Sequence, residues 1–186
     1  MRLSGLSILA LALLLANAVV PARANLVTDP GFESCTAIAQ SPPGWSGNAI
    51  CNADNPHTGS WDAYFSGLGT VTLSQSIATA VGGTYDFSFW QRDNAGAANT
   101  FTASFGADEV LDLVSPSEGG YTLEDFAVSA TASSTTIEFT STQNGGFWNL
   151  DDVSVTQTAS PVPEPASFAL VALLGGGLLG IWRRRI

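Results

Sequence analysis

Outside its carboxylates, the chain offers few side chains that could do chemistry. It has one histidine, His57, beside Pro56, and no lysine. A Ser-His-Asp triad needs that histidine oriented by an acid and within reach of an activated serine, and no Gly-x-Ser-x-Gly segment is present to supply one. A zinc site wants several His or Cys ligands, so His57 is expected to be a turn residue. Aspartate and glutamate are plentiful, and counting alone leaves room for a glycosidase-type carboxylate pair. The other chemistry-bearing groups are large aromatics, Trp45, Trp61, Trp90, Trp148 and Tyr121, whose faces can stack on sugar rings. Trp90 shares the alternation phase of Asp86, Ser88 and Arg92, opposite Tyr85, Phe87 and Phe89. It is therefore expected on the polar face of its strand. Trp90 and Arg92 are the ligand-binding candidates, while Trp45 and Trp148 are expected in the core.

These residues must be positioned by strands. Val71, Leu73, Gln75 and Ile77 alternate with Thr72, Ser74 and Ser76. Phe101, Ala103 and Phe105 repeat the pattern, as do Phe126 with Val128, Ile137 with Phe139, and Val153 with Val155. The pairs Gly82-Gly83, Gly119-Gly120 and Gly145-Gly146 punctuate the runs as turns. About eight short strands and little helix-forming composition between Asn25 and Ser160 predict an all-β, two-sheet antiparallel sandwich. Within that span fifteen acids face one base, Arg92, a formal charge of −14. Such a surface repels nucleic acid and anionic headgroups. It suits divalent cations, neutral sugars or high salt. Cys35 and Cys51 stand in a Gly-, Pro-, Asn- and Ser-rich stretch with little core of its own, where a disulfide is expected in an exported domain.

The two ends carry processing signals. Arg2, the apolar run Leu6 to Val20 and Ala22-Arg23-Ala24 predict a signal peptide over 1–24. A β-sandwich domain is expected over 25–157 and a linker over 158–165. Ala166 to Trp182 is apolar or small throughout and would form a helix about 25 Å long, near the lower limit for a span. Arg183, Arg184 and Arg185 follow at once, so the positive-inside rule puts 183–186 in the cytoplasm as a basic tail. Before the helix stands Val162-Pro163-Glu164-Pro165, whose two prolines hold the backbone extended and open to a processing enzyme. This order of motif, short apolar helix and arginine cluster resembles the PEP-CTERM sorting signal. The resemblance implies an exosortase-type processing partner. It also implies anchorage in the bacterial inner membrane before processing, and passage afterwards to the cell surface or the extracellular matrix.

A second resemblance spans most of Asn25 to Thr156. Asn25-Leu26-Val27, Gly31-Phe32-Glu33, Gly44-Trp45, His57-Thr58-Gly59-Ser60, Ala63-Tyr64-Phe65 and Leu150-Asp151-Asp152-Val153 occur in an order similar to the galactose-binding-like jelly roll of many carbohydrate-binding modules. The resemblance implies a structural Ca²⁺ between the first and last strands. Glu33 and Asp151 are its ligands by position; Asp152 is a substitute, because alternation does not decide which of the two points inward. The function expected is that of a non-catalytic surface or matrix protein associated with extracellular polysaccharide. The alternatives are a structural or adhesive protein with no small ligand, and a glycan hydrolase. Deleting Arg183 to Arg185 should impair membrane retention and processing; unchanged fractionation of the deletion variant would contradict the expected role of the basic tail.

Overall fold

The computed structural model describes residues 23–94 and 99–158. Most of the expected signal peptide, the Val162–Pro165 motif, the spanning helix and the basic tail lie outside the described residues. Among the described residues no helix is long and apolar enough to cross a membrane.

Ten strands form: β1 (Ser46–Gly47), β2 (Ile50–Asn52), β3 (Asp62–Phe65), β4 (Gly69–Ala78), β5 (Thr84–Asp93), β6 (Thr100–Phe105), β7 (Asp108–Val114), β8 (Thr122–Ser129), β9 (Ser134–Gln143) and β10 (Trp148–Gln157). They make two five-stranded antiparallel sheets, ordered β1-β4-β9-β6-β7 and β2-β3-β10-β5-β8. The expected sandwich is present, with two more strands than the patterning predicted. Three of the ten strands are weakly patterned elements. β1 and β2 are two and three residues long. β7 is a charged edge strand whose residues are all exposed or half-buried.

Alternation sets the core. Tyr85, Phe87 and Phe89 on β5 face Phe101 and Phe105 on β6 and Phe139 on β9 across the sandwich, all of them buried. Phe89 meets Phe139 edge-on at 4.9 Å between ring centroids, and Phe101 stacks on Trp148 at 4.9 Å. Truncating such a side chain costs about 3–5 kcal/mol, through lost transfer energy and the cavity left behind. Trp45 and Trp148 are both in this core, as expected. Gln75 shares the inward phase, and its amide explains why a polar group is tolerated there. It accepts from Thr28 N at 2.7 Å and donates to Thr28 O and Gly44 O, tying the N-terminal segment to the first sheet. Asn25 ties the same segment to the second sheet: its side chain accepts from Val155 N and donates to Val153 O.

Cys35 and Cys51 are bonded, with Cα atoms 6.1 Å apart. Backbone bonds from Ala39 N to Cys51 O and from Cys51 N to Gln40 O brace the loop that the disulfide closes. Mass spectrometry without reductant should find the pair bonded, and replacing both cysteines by alanine should cost about 3 kcal/mol in a chemical unfolding titration. Two freely alkylated thiols in the unmodified chain would contradict the pairing.

Candidate functional site

The outward face of the second sheet is where the chemistry-bearing side chains collect. Register puts Ile50, Tyr64, Asn149 and Arg92 in one row across β2, β3, β10 and β5. The next row holds Asp151, Trp90 and Leu123. Trp90 and Arg92 are thus on the polar face that alternation assigned to them.

Residues 53–61 join β2 to β3 and pack on this face. Two carboxylates hold the loop. Asp151 Oδ2 accepts from His57 N at 2.8 Å and from Thr58 N at 3.1 Å. Glu33 Oε1 accepts from Ser60 N at 2.8 Å and from Trp61 N at 3.0 Å. Gly59 lies between them at φ +63°, and a Cβ there would run into the Glu33 carboxylate. Only glycine lets the loop approach that closely without strain.

Asp151 and Asp152 both reach the loop because β10 departs from regular pairing between Asp151 and Ser154, with Asp152 at φ +49°. A bulge breaks strict alternation, which is why alternation left the choice between these acids open. Asp151 is fully buried and anchors the backbone. Half-buried Asp152 takes side chains, accepting from Thr58 Oγ1 at 2.7 Å and lying 2.7 Å from His57 Nδ1. Burial pushes the Asp151 carboxyl up to about 7, with Thr58 N–H partly offsetting this and the neighbouring Asp152 charge adding to it.

His57 is therefore a hub in its loop, where a plain turn residue was expected. Its ring stacks on Trp90 at 3.9 Å between centroids and 18° between planes, and meets Tyr121 edge-on at 5.1 Å. One face of Trp90 is thereby taken by His57. Arg92 is half-buried, and its Nε has no partner among the described residues.

Beneath the loop runs a polar chain. Asn52 donates to Asp62 Oδ1 at 2.9 Å, and Asp62 Oδ2 accepts from Tyr121 OH at 3.2 Å and from Asn149. Asn94 in turn donates to Asn149. Tyr121 OH also bonds Asn55 O at 2.7 Å. Burial raises the Asp62 carboxyl above its ordinary range, against the lowering effect of bonds from Asn52, Asn149 and Tyr121, with the Asp54 charge raising it further.

Beside the loop opens a cavity of about 250 Å³, lined by Tyr64, Phe147, Asn52, Asp54, Asn55 and Ile38 among others. The Tyr64 and Phe147 rings lie 5.0 Å apart at 49°. Together they present two half-buried aromatic surfaces beside two amides and a carboxylate. Sequence reasoning passed over both rings. The signal for Tyr64 was its outward phase between inward Ala63 and Phe65. Phe147 had none beyond its place after a Gly-Gly turn.

Glu33 and Asp151, the acids assigned to calcium by resemblance, grip one loop on either side of Gly59. Among the described residues no group of three or more His, Cys, Asp or Glu is arranged to hold a metal ion. The donor chemistry nevertheless fits Ca²⁺ in kind. A carboxylate has about four lone-pair sites, and Ca²⁺ takes carboxylate and backbone carbonyl oxygens. The four backbone N–H bonds from the loop fall on Glu33 Oε1 and Asp151 Oδ2, and Asp151 Oδ1 accepts from Asp152 N at 2.7 Å, so Glu33 Oε2 is the carboxylate oxygen these backbone bonds leave open.

Comparison with known proteins bears on both halves of the chain. A family model described as the PEP-CTERM protein-sorting motif matches residues 161–185. No curated protein matches the chain. Among solved structures, the carbohydrate-binding module TmCBM61, in complex with β-1,4-galactotriose, aligns with TM-score 0.53 and 19% identity over 73% of this chain and 99% of its own. The CBM22-1 xylan-binding domain of Paenibacillus barcinonensis Xyn10C aligns with TM-score 0.52 and 16% identity, covering 75% of this chain and 97% of that domain. The enzymatically active domain of the bacteriophage CBA120 tailspike protein 4 aligns with TM-score 0.54 and 13% identity, covering 72% of this chain but 21% of that one. The likeness is one of fold: the sandwich is a jelly roll of the carbohydrate-binding-module type. It is joined in this chain to a PEP-CTERM sorting motif.

Proposed function

We propose that this chain is a non-catalytic exported protein, processed at its PEP-CTERM tail by an exosortase-type enzyme, whose jelly roll associates with extracellular polysaccharide. The observation that carries the reading is the cavity between β2, β3 and the 53–61 loop. A sugar ring offers an apolar face to aromatic rings and hydroxyls to amides and carboxylates, and Tyr64 with Phe147, and Asn52 with Asp54 and Asn55, supply both kinds of partner. A non-catalytic role is favoured by the state of Asp62. Its oxygens accept from Asn52, Asn149 and Tyr121, so it is committed to holding the sheet face. After processing, the cell surface or matrix is the expected destination.

Calcium has its place in this reading as a brace. We assign Glu33 and Asp151 as the residues that would hold it, with Asp152 the substitute, and the ion would supply positive charge where three carboxylates crowd one loop.

Two outcomes test the reading. In affinity electrophoresis against the exopolysaccharide of the producing cell, the full-length chain in detergent should be retarded. Tyr64→Ala should weaken that retardation by about tenfold in affinity, equivalent to about 1.4 kcal/mol. A chain retarded by no polysaccharide would overturn the proposal and leave a structural or adhesive role. For the ion, millimolar Ca²⁺ should raise the melting temperature more than equal Mg²⁺, since an ion at a hundredfold excess over Kd stabilises by about 2.7 kcal/mol. Glu33→Gln and Asp151→Asn should each reduce the Ca²⁺-specific part. Equal shifts with both ions would mean that general screening of an acidic domain is the whole effect.

A further inference from the structure

The apolar lining of the cavity beside the 53–61 loop is of two kinds. Within a volume of about 250 Å³ it brings together Tyr64, Phe147, Ile38 and Ile50. Tyr64 and Phe147 are flat rings, on which the C–H face of a sugar stacks. The two isoleucines are branched and aliphatic. They offer no flat face and match a small apolar substituent such as a methyl group. Ile50 is half-buried and stands opposite Tyr64 in the outward row. Ile38 is 62% exposed. A lone exposed isoleucine would call for no explanation, but Ile38 joins three other apolar side chains around one cavity.

Ile38 is also held in place. Cys35 is the one buried residue from Glu33 to Ala39, so its bond to Cys51 pins this stretch against β2. Ala39 N donates to Cys51 O at 3.0 Å, and Cys51 N donates to Gln40 O at 2.8 Å. Ala39 adopts φ +66°, a conformation that costs a residue with a Cβ and persists only where the surroundings impose it. An exposed apolar side chain is thus fixed at the rim of a cavity by a cross-link and a strained neighbour.

The polar lining sets a carboxylate beside an amide. Asp54 is exposed and Asn55 half-buried, both on the 53–61 loop. Asn55 is fixed through its backbone O, which accepts from Tyr121 OH at 2.7 Å and leaves the side-chain amide out of that bond. Burial raises the Tyr64 hydroxyl above its ordinary range, and the charges of Asp54 and then Asp62 add to this, so the Asp54 carboxylate acts on that ring. A carboxylate accepts hydrogen bonds, and a primary amide donates them. The cavity therefore offers an acceptor, a donor and an aliphatic wall beside two rings. The acetamido group of a sugar presents the complement: an N–H, a carbonyl oxygen and a methyl. A sugar with hydroxyls alone leaves the isoleucines facing water. A 6-deoxy sugar brings the methyl without the amide, and a uronate brings a second negative charge to Asp54.

We propose that this cavity takes an N-acetylated sugar unit of the polysaccharide, its ring on Tyr64 and Phe147 and its acetyl methyl against Ile38 and Ile50. The inference rests on the polysaccharide reading of the domain and names the sugar class for the same site. The test is a ligand-observed NMR titration of the full-length chain in detergent with two matched pairs of methyl glycosides: N-acetylglucosamine against glucose, and N-acetylgalactosamine against galactose. In at least one pair the acetylated sugar should bind at least about tenfold more tightly. Its acetyl methyl should receive the strongest magnetisation transfer from the protein. Ile38→Ser should remove most of the preference, at an exposed position that the core does not need. Leu68→Ser, at an apolar residue that is also exposed but outside the cavity lining, should leave it intact. Purified exopolysaccharide should displace the acetylated sugar. Binding of neither acetylated sugar, equal affinity within both pairs, an acetyl methyl that receives no transfer, or a preference that survives Ile38→Ser overturns the inference. Exopolysaccharide that binds the chain without displacing the sugar sinks this inference and spares the proposed function, whereas binding of no polysaccharide sinks both.

Discussion

The arrangement of the outward face depends on one interaction: two carboxylates, from the beginning and the end of the domain, take the backbone N–H groups of a single loop. Glu33 receives Ser60 and Trp61, and Asp151 receives His57 and Thr58. Hydrogen bonds from backbone N–H to a carboxylate are charge-assisted and stronger than neutral ones. They place the His57 ring on Trp90 and bring Asn55 O to Tyr121 OH. They also set one wall of the cavity that Tyr64 and Phe147 line. Without this grip, residues 53–61 would be a polar connection with no reason to keep one path over the sheet.

Such a face can be built only because the opposite side of each strand is occupied. Inward residues of both sheets form a continuous aromatic core, so β3, β5 and β10 are rigid where they present polar side chains outward. The outward polar chain from Asn52 through Asp62 and Asn149 to Asn94 is largely satisfied. A satisfied buried network rigidifies its surroundings, whereas a partly satisfied one destabilises.

How much of this was legible in the sequence follows from the reach of each signal. Period-two alternation acts over a few residues, so β4, β5, β6, β9 and β10 were legible with their faces, including the outward phase of Trp90 and Arg92. Short or charged strands carry little periodicity, so β1, β2 and β7 were not. The disulfide was legible from composition and context. His57 was not legible as a hub, because its partners Asp151, Asp152, Trp90 and Tyr121 come from distant strands and one of them reaches it through a bulge. Tyr64 and Phe147 were missed because each is a single aromatic whose significance arises only when the sheet sets them side by side. Resemblance rather than pattern brought Glu33 and Asp151 forward, and the structure seats both on the loop.

Hydrogen exchange at single-residue resolution probes the loop grip directly. Local stability ranges from near zero in free loops to the global value in core strands. In the full-length chain the amides of His57, Thr58, Ser60 and Trp61 should exchange as slowly as those of β3 and β10, although they lie in a connection with no strand pairing. Exchange of these four at the rate of unprotected loop amides would show that Glu33 and Asp151 do not hold the loop, and the account of the outward face would fall with it.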